Sequence, residues 1–328
     1  MKIKSMLLML VLFVLGANAI SFGQTVEVKF DAAQPKITTV SAMRARRSPV
    51  VAGEEIMRLK LGTVVSATGR SSDQDTVAGR TDYWYRVNLP NGESGWVFGG
   101  LLLDYNSRPR EELLKQIIED RLKAEKTEFA DRQEIYNLAA SSVTEAKDAN
   151  ARAEFELLKL LALANWAGIV PNEQKSKSPY QEFLAGHKTE LIENEFGGGY
   201  DLRSEMLWNL ETKYHSLPIA DRIAWEAARN EQPSDCESDQ VCAFFLFDGD
   251  IKYLNTHPAG AHVSEALQNL NEVLTDEVIQ AANARGGDKY AVQEGAEVRK
   301  SIAALRLALA KVSSAEKEGL VKKVGRIK

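Results

Sequence analysis

Between Ile37 and Leu103 apolar and polar residues alternate in short runs: ITTVSAMRA, IMRLKLGTVVSATG, YWYRVNL and SGWVFGG. Each run is bounded by Gly, Pro, Asn or Ser, and each is rich in the β-branched and aromatic residues that fit a pleated surface. A period of two sends successive side chains to opposite faces of a strand. Four or five strands in so short a stretch leave no room for helical crossovers, so the pattern predicts a small antiparallel barrel over residues 36–104. Asn91-Gly92 is its sharpest turn signal, because both residues tolerate a positive φ.

Beyond Asp104 the period changes. SRPREELLKQIIEDRLKAEK sets Leu113, Leu114, Ile117, Ile118 and Leu122 at helical spacing, with Pro109 suited to a first turn and acidic residues just after it. The same spacing recurs over 131–147, 150–167, 179–193, 202–213, 218–230, 241–255, 261–283 and 290–312. Loops are marked by GIVPNEQKSKSP, FGGGYD, HSLP, NEQPSDCESD and HPAG. The expected architecture is therefore multidomain, β then α: the barrel, followed over 109–328 by an all-helical bundle or stack large enough for its own core.

The barrel motifs, in their order, resemble the bacterial SH3 domain. Met43, Arg44, Ser48 and Pro49 match its opening; Leu59, Leu61, Gly62, Thr63 and Val64 match its second element; Trp84, Tyr85, Val87, Gly95, Trp96 and Val97 match its end. One departure is RSSDQDTVAGRTD, longer and more charged than that family's usual connection. Strand alternation sets Tyr85, Val87 and Leu89 against Trp84, Arg86 and Asn88, and a two-residue hairpin at Asn91-Gly92 pairs Val87 with Trp96. The resemblance implies another register, with Val87 and Val97 in the core and Trp84 and Trp96 facing a groove, which requires a bulge near Gly95. In the helical region IKYLNTHPAGAHVSEALQNL resembles the junction of tetratricopeptide-like arrays through Tyr253, Leu254, Pro258, Gly260, Glu265, Ala266 and Leu267. It occurs once, whereas an array repeats at about 34 residues. An irregular helical stack is expected.

The N-terminus adds a compartment. Residues 1–24 carry Lys2 and Lys4, an apolar run from Met6 to Leu15, and small residues at Ala17 and Ala19, the layout of a secretory signal cut after Ala19. That run falls short of the roughly 20 residues that cross a bilayer, so no membrane span is expected after cleavage. The protein is read as exported, periplasmic or extracellular. Export makes Cys236 and Cys242 an expected disulfide contributing about 2 kcal/mol, since their spacing fits no zinc knuckle. Of 328 residues 44% are hydrophobic and 27% charged, which describes an ordinary globular chain, and the formal charge of −5 argues against nucleic acid.

The candidate binding residues are Trp84, Trp96, Tyr83, Arg86 and Phe98, because aromatic rings beside an arginine hold peptides or the apolar faces of sugars. The competing reading is that these rings only cover a small barrel or seal its contact with the helices. Arg44 to Arg47 form a positive patch, read as a solvated strand face. The glycines of EFGGGYD lack the following Lys-Ser/Thr of a phosphate loop, and are read as a helix connection. His187, His215, His257 and His262 are scattered. His257 and His262 flank a turn, with Asp248 and Asp250 upstream, but their spacing fits no ligand set. No metal, cofactor, catalytic thiol or serine nucleophile is expected. These observations give a non-enzymatic envelope protein that binds a cell-wall peptide or glycan, or an envelope protein. A wall hydrolase with an unrecognised helical catalytic domain, and a purely structural barrel docked on its helices, stand as alternatives.

Overall fold

The computed structural model describes residues 26–328 apart from 126, 195–198, 231–238, 285 and 288. The expected signal segment lies outside the described residues, and so does Cys236, hence its pairing with Cys242. Seven strands come first: β1 (Glu27–Thr38), β2 (Met43–Arg46), β3 (Glu55–Leu59), β4 (Val64–Val77), β5 (Arg80–Asn88), β6 (Ser94–Phe98) and β7 (Leu102–Asp104). They form one antiparallel sheet in the order β3-β2-β6-β5-β4-β1-β7. Its core is Met43, Ala45, Leu59, Val65, Ala67, Val87, Leu89 and Val97.

Two local geometries shape the sheet. At the end of β5, Leu89 N–H donates to Glu93 O at 2.9 Å and Gly92 N–H donates to Leu89 O at 3.0 Å. Gly92, at φ 85°, closes a three-residue turn of Pro90, Asn91 and Gly92. The strands therefore pair Val87 with Gly95, Arg86 with Trp96 and Trp84 with Phe98. The two-residue hairpin register is thus corrected. One residue more in the turn than a two-residue hairpin has shifts the pairing by one and sends Val97 inward beside Val87, without a bulge at Gly95. The RSSDQDTVAGRTD stretch is not an open loop but a ribbon that prolongs β4 and β5. It turns at Ala78 and Gly79, whose φ values of 49° and 79° give the paired positive dihedrals of a tight hairpin.

The helical region comprises α1 (Arg110–Leu122), α2 (Phe129–Glu145), α3 (Ala149–Ala167) and α4 (Tyr180–Gly186), then a short hairpin of β8 (Leu191–Glu193) and β9 (Tyr200–Leu202). It continues with α5 (Ser204–Tyr214), α6 (Ala220–Arg229), α7 (Asp239–Phe245), α8 (Asp248–Thr256), α9 (Val263–Val273), α10 (Asp276–Asn283), α11 (Lys289–Lys311) and α12 (Glu318–Val324). The β8–β9 pair corrects the all-helical expectation for 179–193 and for the glycine stretch, of which Gly199 and the residues after it are described. The continuous segment expected over 261–283 is two helices. Leu274 ends the first, and Thr275 caps the second by accepting Val278 N–H. Helix α12 buries Leu320 and Val324, an i,i+4 pair.

The barrel and helices share a core. Ile37 and Leu61 from the sheet pack with Leu113, Leu114, Ile117, Ile118, Ile135, Phe155 and Leu158 of α1, α2 and α3. Leu61 N–H donates to Glu134 Oε2 at 2.8 Å across the contact. Gly62 sits there at φ 75°, where an added Cβ would lie 2.6 Å from Leu138 Cδ1. A larger core runs from α3 to α12 through Leu157, Leu163, Ile223, Phe244, Tyr253 and Ile302. We predict that Gly62→Ala lowers stability by about 1–3 kcal/mol, because it combines a disfavoured dihedral with overpacking. Denaturant unfolding measures this, and an unchanged midpoint would refute the close approach.

Candidate functional site

Of the sequence-selected aromatics, Trp84, Trp96 and Phe98 lie on the outer face of β5 and β6, and Tyr83 lies on the opposite face with Tyr85. Trp84 and Phe98 are cross-strand partners with ring centroids 5.6 Å apart, edge to face. Yet Trp84 is 3% exposed, Trp96 5% and Phe98 3%. They make a small core of their own with Val77 and Leu101. Trp84 Nε1–H donates to Asp75 Oδ2 at 3.0 Å, and its backbone N–H donates to Ser71 Oγ at 3.0 Å. Asp75 and Val77 both belong to the ribbon, so the inserted strand ends fold over the rings and cover them. The expectation that Trp84 and Trp96 face a groove is corrected accordingly: they share the outer face, and the barrel's own insert buries it.

Tyr83 and Arg86 remain partly exposed. The Arg86 guanidinium lies 5.6 Å from the Trp96 ring centre, while Arg70 stacks on Tyr83 at 3.7 Å. At this end of the sheet Phe30 lies 6.2 Å from Tyr85, and Lys36 Nζ sits 4.7 Å over the Tyr85 ring. The accessible aromatic strip is therefore Tyr83, Tyr85 and Phe30, edged by Arg70. Phe30 and Arg70 were not legible as site residues, because the pairing of β1 with β4 that brings Phe30 here leaves no local signal. The Arg44–Arg47 run is neutralised in part by β3 and its lead-in: Arg44 meets Glu55 at 3.3 Å and Arg47 meets Glu54 at 3.1 Å. Arg46 turns inward and donates to Gly53 O.

A second constellation lies in the helical region. Glu211 and His215 stand i,i+4 at the end of α5, and Glu211 Oε1 accepts from His215 Nδ1 at 2.9 Å and His257 Nε2 at 3.0 Å. Asp221 on α6 accepts from the Tyr253 hydroxyl at 2.7 Å and from Ala261 N–H at 3.1 Å. His262 N–H donates to the same Tyr253 oxygen at 3.0 Å. Burial, and then the bond to Asp221, pushes the Tyr253 hydroxyl above the usual tyrosine range, so it stays a neutral donor. The HPAGAH turn is thereby clamped onto α6. At Gly260 a Cβ would fall 2.0 Å from Asp221 Oδ1 and 2.3 Å from the Tyr253 oxygen, so only glycine permits the approach. Beside the clamp lies a pocket of about 400 Å³ lined by His215, Leu217, Asp221, His257 and Pro258.

The structure separates residues that the sequence grouped. His262 stacks on Trp225 with centroids 4.4 Å apart, and Asp250 is buried against Arg229 and Asn269. Asp248 accepts from Ser301. His187 bonds Glu190 among Tyr136, Trp166 and Phe183. Conversely, Glu211 and Asp221 are brought to His215 and His257, and the four-residue spacing of Glu211 and His215, which runs from the helix expected over 202–213 into the HSLP loop, was the one available signal.

In comparisons with known proteins, residues 41–102 match the bacterial SH3 domain, a span that takes in β2 to β6 and leaves β1 outside it. No curated protein and no solved structure matches the chain.

Two outcomes follow from this packing. Trp84→Ala removes a buried ring and its bond to Asp75, and is expected to cost about 3–5 kcal/mol in denaturant unfolding. A loss below 1 kcal/mol would mean the face is open. Gly260→Ala is expected to break the Tyr253–Asp221 contact and destabilise by about 1–3 kcal/mol. A protein with an unaltered thermal midpoint would contradict the clamp.

Proposed function

We propose that this chain is an exported, non-enzymatic binding protein of the cell envelope, whose SH3-like barrel takes cell-wall peptide or glycan or an extended peptide. The observation that carries this reading is the bacterial SH3 domain match over residues 41–102, since such domains generally bind cell-wall material. Support for export comes from the charged start, apolar run and small residues of positions 1–24. Among the described residues no helix is long and apolar enough to cross a membrane. The contact surface we assign is the strip of Tyr83, Arg70, Tyr85 and Phe30, because these side chains keep accessible area while Trp84, Trp96 and Phe98 do not, and Arg86 lies on the other face over Trp96. Tyrosine supplies wide, amphipathic contact at low entropic cost, and Arg70 supplies directed donors. The helical region acts as the scaffold for an envelope protein, and its α8–α9 junction is where tetratricopeptide-like character is proposed.

One observation favours a second reading. The sealed Trp84–Trp96–Phe98 face, together with the core shared by the barrel and α1 to α3, suits a barrel that only braces the helices.

Co-sedimentation of the chain from residue 20 onward with purified, insoluble peptidoglycan separates the two. Wild type is expected in the pellet, with Tyr83→Ala and Arg70→Ala each weakening binding about tenfold, as for an aromatic or arginine anchor. Wild type left entirely in the supernatant overturns wall binding and leaves the bracing role. Soluble muropeptides released during the same incubation would overturn the non-enzymatic part.

A further inference from the structure

Two imidazoles and one carboxylate converge at the mouth of the helical pocket, and the barrel's proposed role uses none of them. One donor atom from each of Glu211, His215 and His257 lies within 4.8 Å of the others. Glu211 is 5% exposed, and a single one of its oxygens is the meeting point of both rings. We propose that Glu211, His215 and His257 bind one zinc ion, with a fourth coordination position open to the pocket beside Asp221.

The donor set selects the metal class. Two nitrogens and one carboxylate oxygen suit zinc, whereas calcium and magnesium call for oxygen donors throughout. The geometry is close to that required. Bonds of about 2.0–2.2 Å to a tetrahedral ion set neighbouring donor atoms roughly 3.3–3.5 Å apart. The two Glu–His separations, 2.9 and 3.0 Å, are hydrogen-bond lengths just below that range. An ion replaces both hydrogen bonds after the groups spread by roughly half an ångström. The slack comes from His215, which ends α5 and whose side chain is 67% exposed. Zinc binding also places a positive charge beside a buried carboxylate.

The remaining parts of the site are already fixed. Glu211 and His215 present their donors from one helical face, at the i,i+4 spacing of many metal-binding helices. His257 ends α8, where its N–H donates to Tyr253 O at 2.7 Å, and the Tyr253–Asp221 clamp holds the turn that follows. When His257 coordinates through Nε2 its proton resides on Nδ1, and Asp221 Oδ1 lies 4.0 Å from that atom. A modest closure makes this the carboxylate that orients the ligand from behind. The pocket of about 400 Å³ is lined by His215, His257 and Asp221, so the open position faces solvent-accessible space and takes water or a small anionic ligand.

The test is calorimetric titration of zinc chloride into the chelator-treated mature chain, paired with cobalt(II) absorption as a report of the ligand set. One equivalent of zinc is expected to bind, cobalt is expected to give the visible bands of a four- or five-coordinate site, and zinc is expected to raise the melting temperature. His215→Ala removes an exposed side chain and leaves the fold intact. It and Glu211→Gln are each expected to weaken zinc binding by at least about tenfold and to abolish the cobalt bands. His187→Gln, remote from the site, should bind as wild type does. Wild type that takes up no zinc at equimolar concentration overturns the proposal. So does zinc binding of equal affinity in wild type, His215→Ala and Glu211→Gln, which would place the ion elsewhere.

Discussion

The three-residue turn of Pro90, Asn91 and Gly92 decides what the barrel can show to solvent. Adding one residue to that connection would carry Val97 from the core to the outside and swing Trp96 and Phe98 inward. With the turn as it is, Val87 and Val97 fill a core made otherwise of small and aliphatic side chains, and the large rings are sent outward. Three aromatic side chains on the outside of so small a sheet represent a large apolar area to leave wet. The ribbon of β4 and β5 answers that constraint by folding Asp75 and Val77 over them, and Asp75 also satisfies the one polar atom the Trp84 ring carries.

The same economy joins the barrel to the helices. A domain of this size buries only a modest fraction of its surface alone, and Ile37 and Leu61 complete their burial only against α1, α2 and α3. The bond from Leu61 N–H to Glu134 and the close pass of Gly62 over Leu138 fix how the two surfaces meet. The barrel is thus supported on one side by the helical region and closed on another by its own insert. The end near Tyr83, Tyr85 and Phe30 is where it keeps accessible aromatic area.

Much of this was legible in the chain. The change of period after Asp104 located the passage from strands to helices, and the SH3-like motif order placed Val87 and Val97 correctly. Burial of Trp84, Trp96 and Phe98 was not legible, because the ribbon that covers them reads locally as a charged connection. Its hairpin turn, Ala78-Gly79, has a weak signal next to Asn91-Gly92. The convergence of Glu211, His215, Asp221 and His257 was equally hidden. It depends on α5, α6 and α8 packing side by side, and periodicity reports which face of a helix is buried but not which helix it meets. Gly260 carried a real signal that was read as a helix junction, while its physical reason is the two oxygens that stand where a Cβ would go.

The strand order has a temporal side as well. Strand β1 lies between β4 and β7, so Lys36 faces Asp104 across a pairing that spans the whole barrel. During synthesis that edge of β1 has no partner until the chain has grown past Asp104, and Ile37 has no cover until α1 to α3 follow. A contact between such distant residues forms slowly, because the loop must close before the pairing repays it. Until then the growing chain carries an open strand edge with an apolar residue beside it, the kind of surface that mispairs with other chains. The helices that follow are therefore part of what lets the barrel finish folding, and the order of the chain is also the order in which its exposed edge is closed.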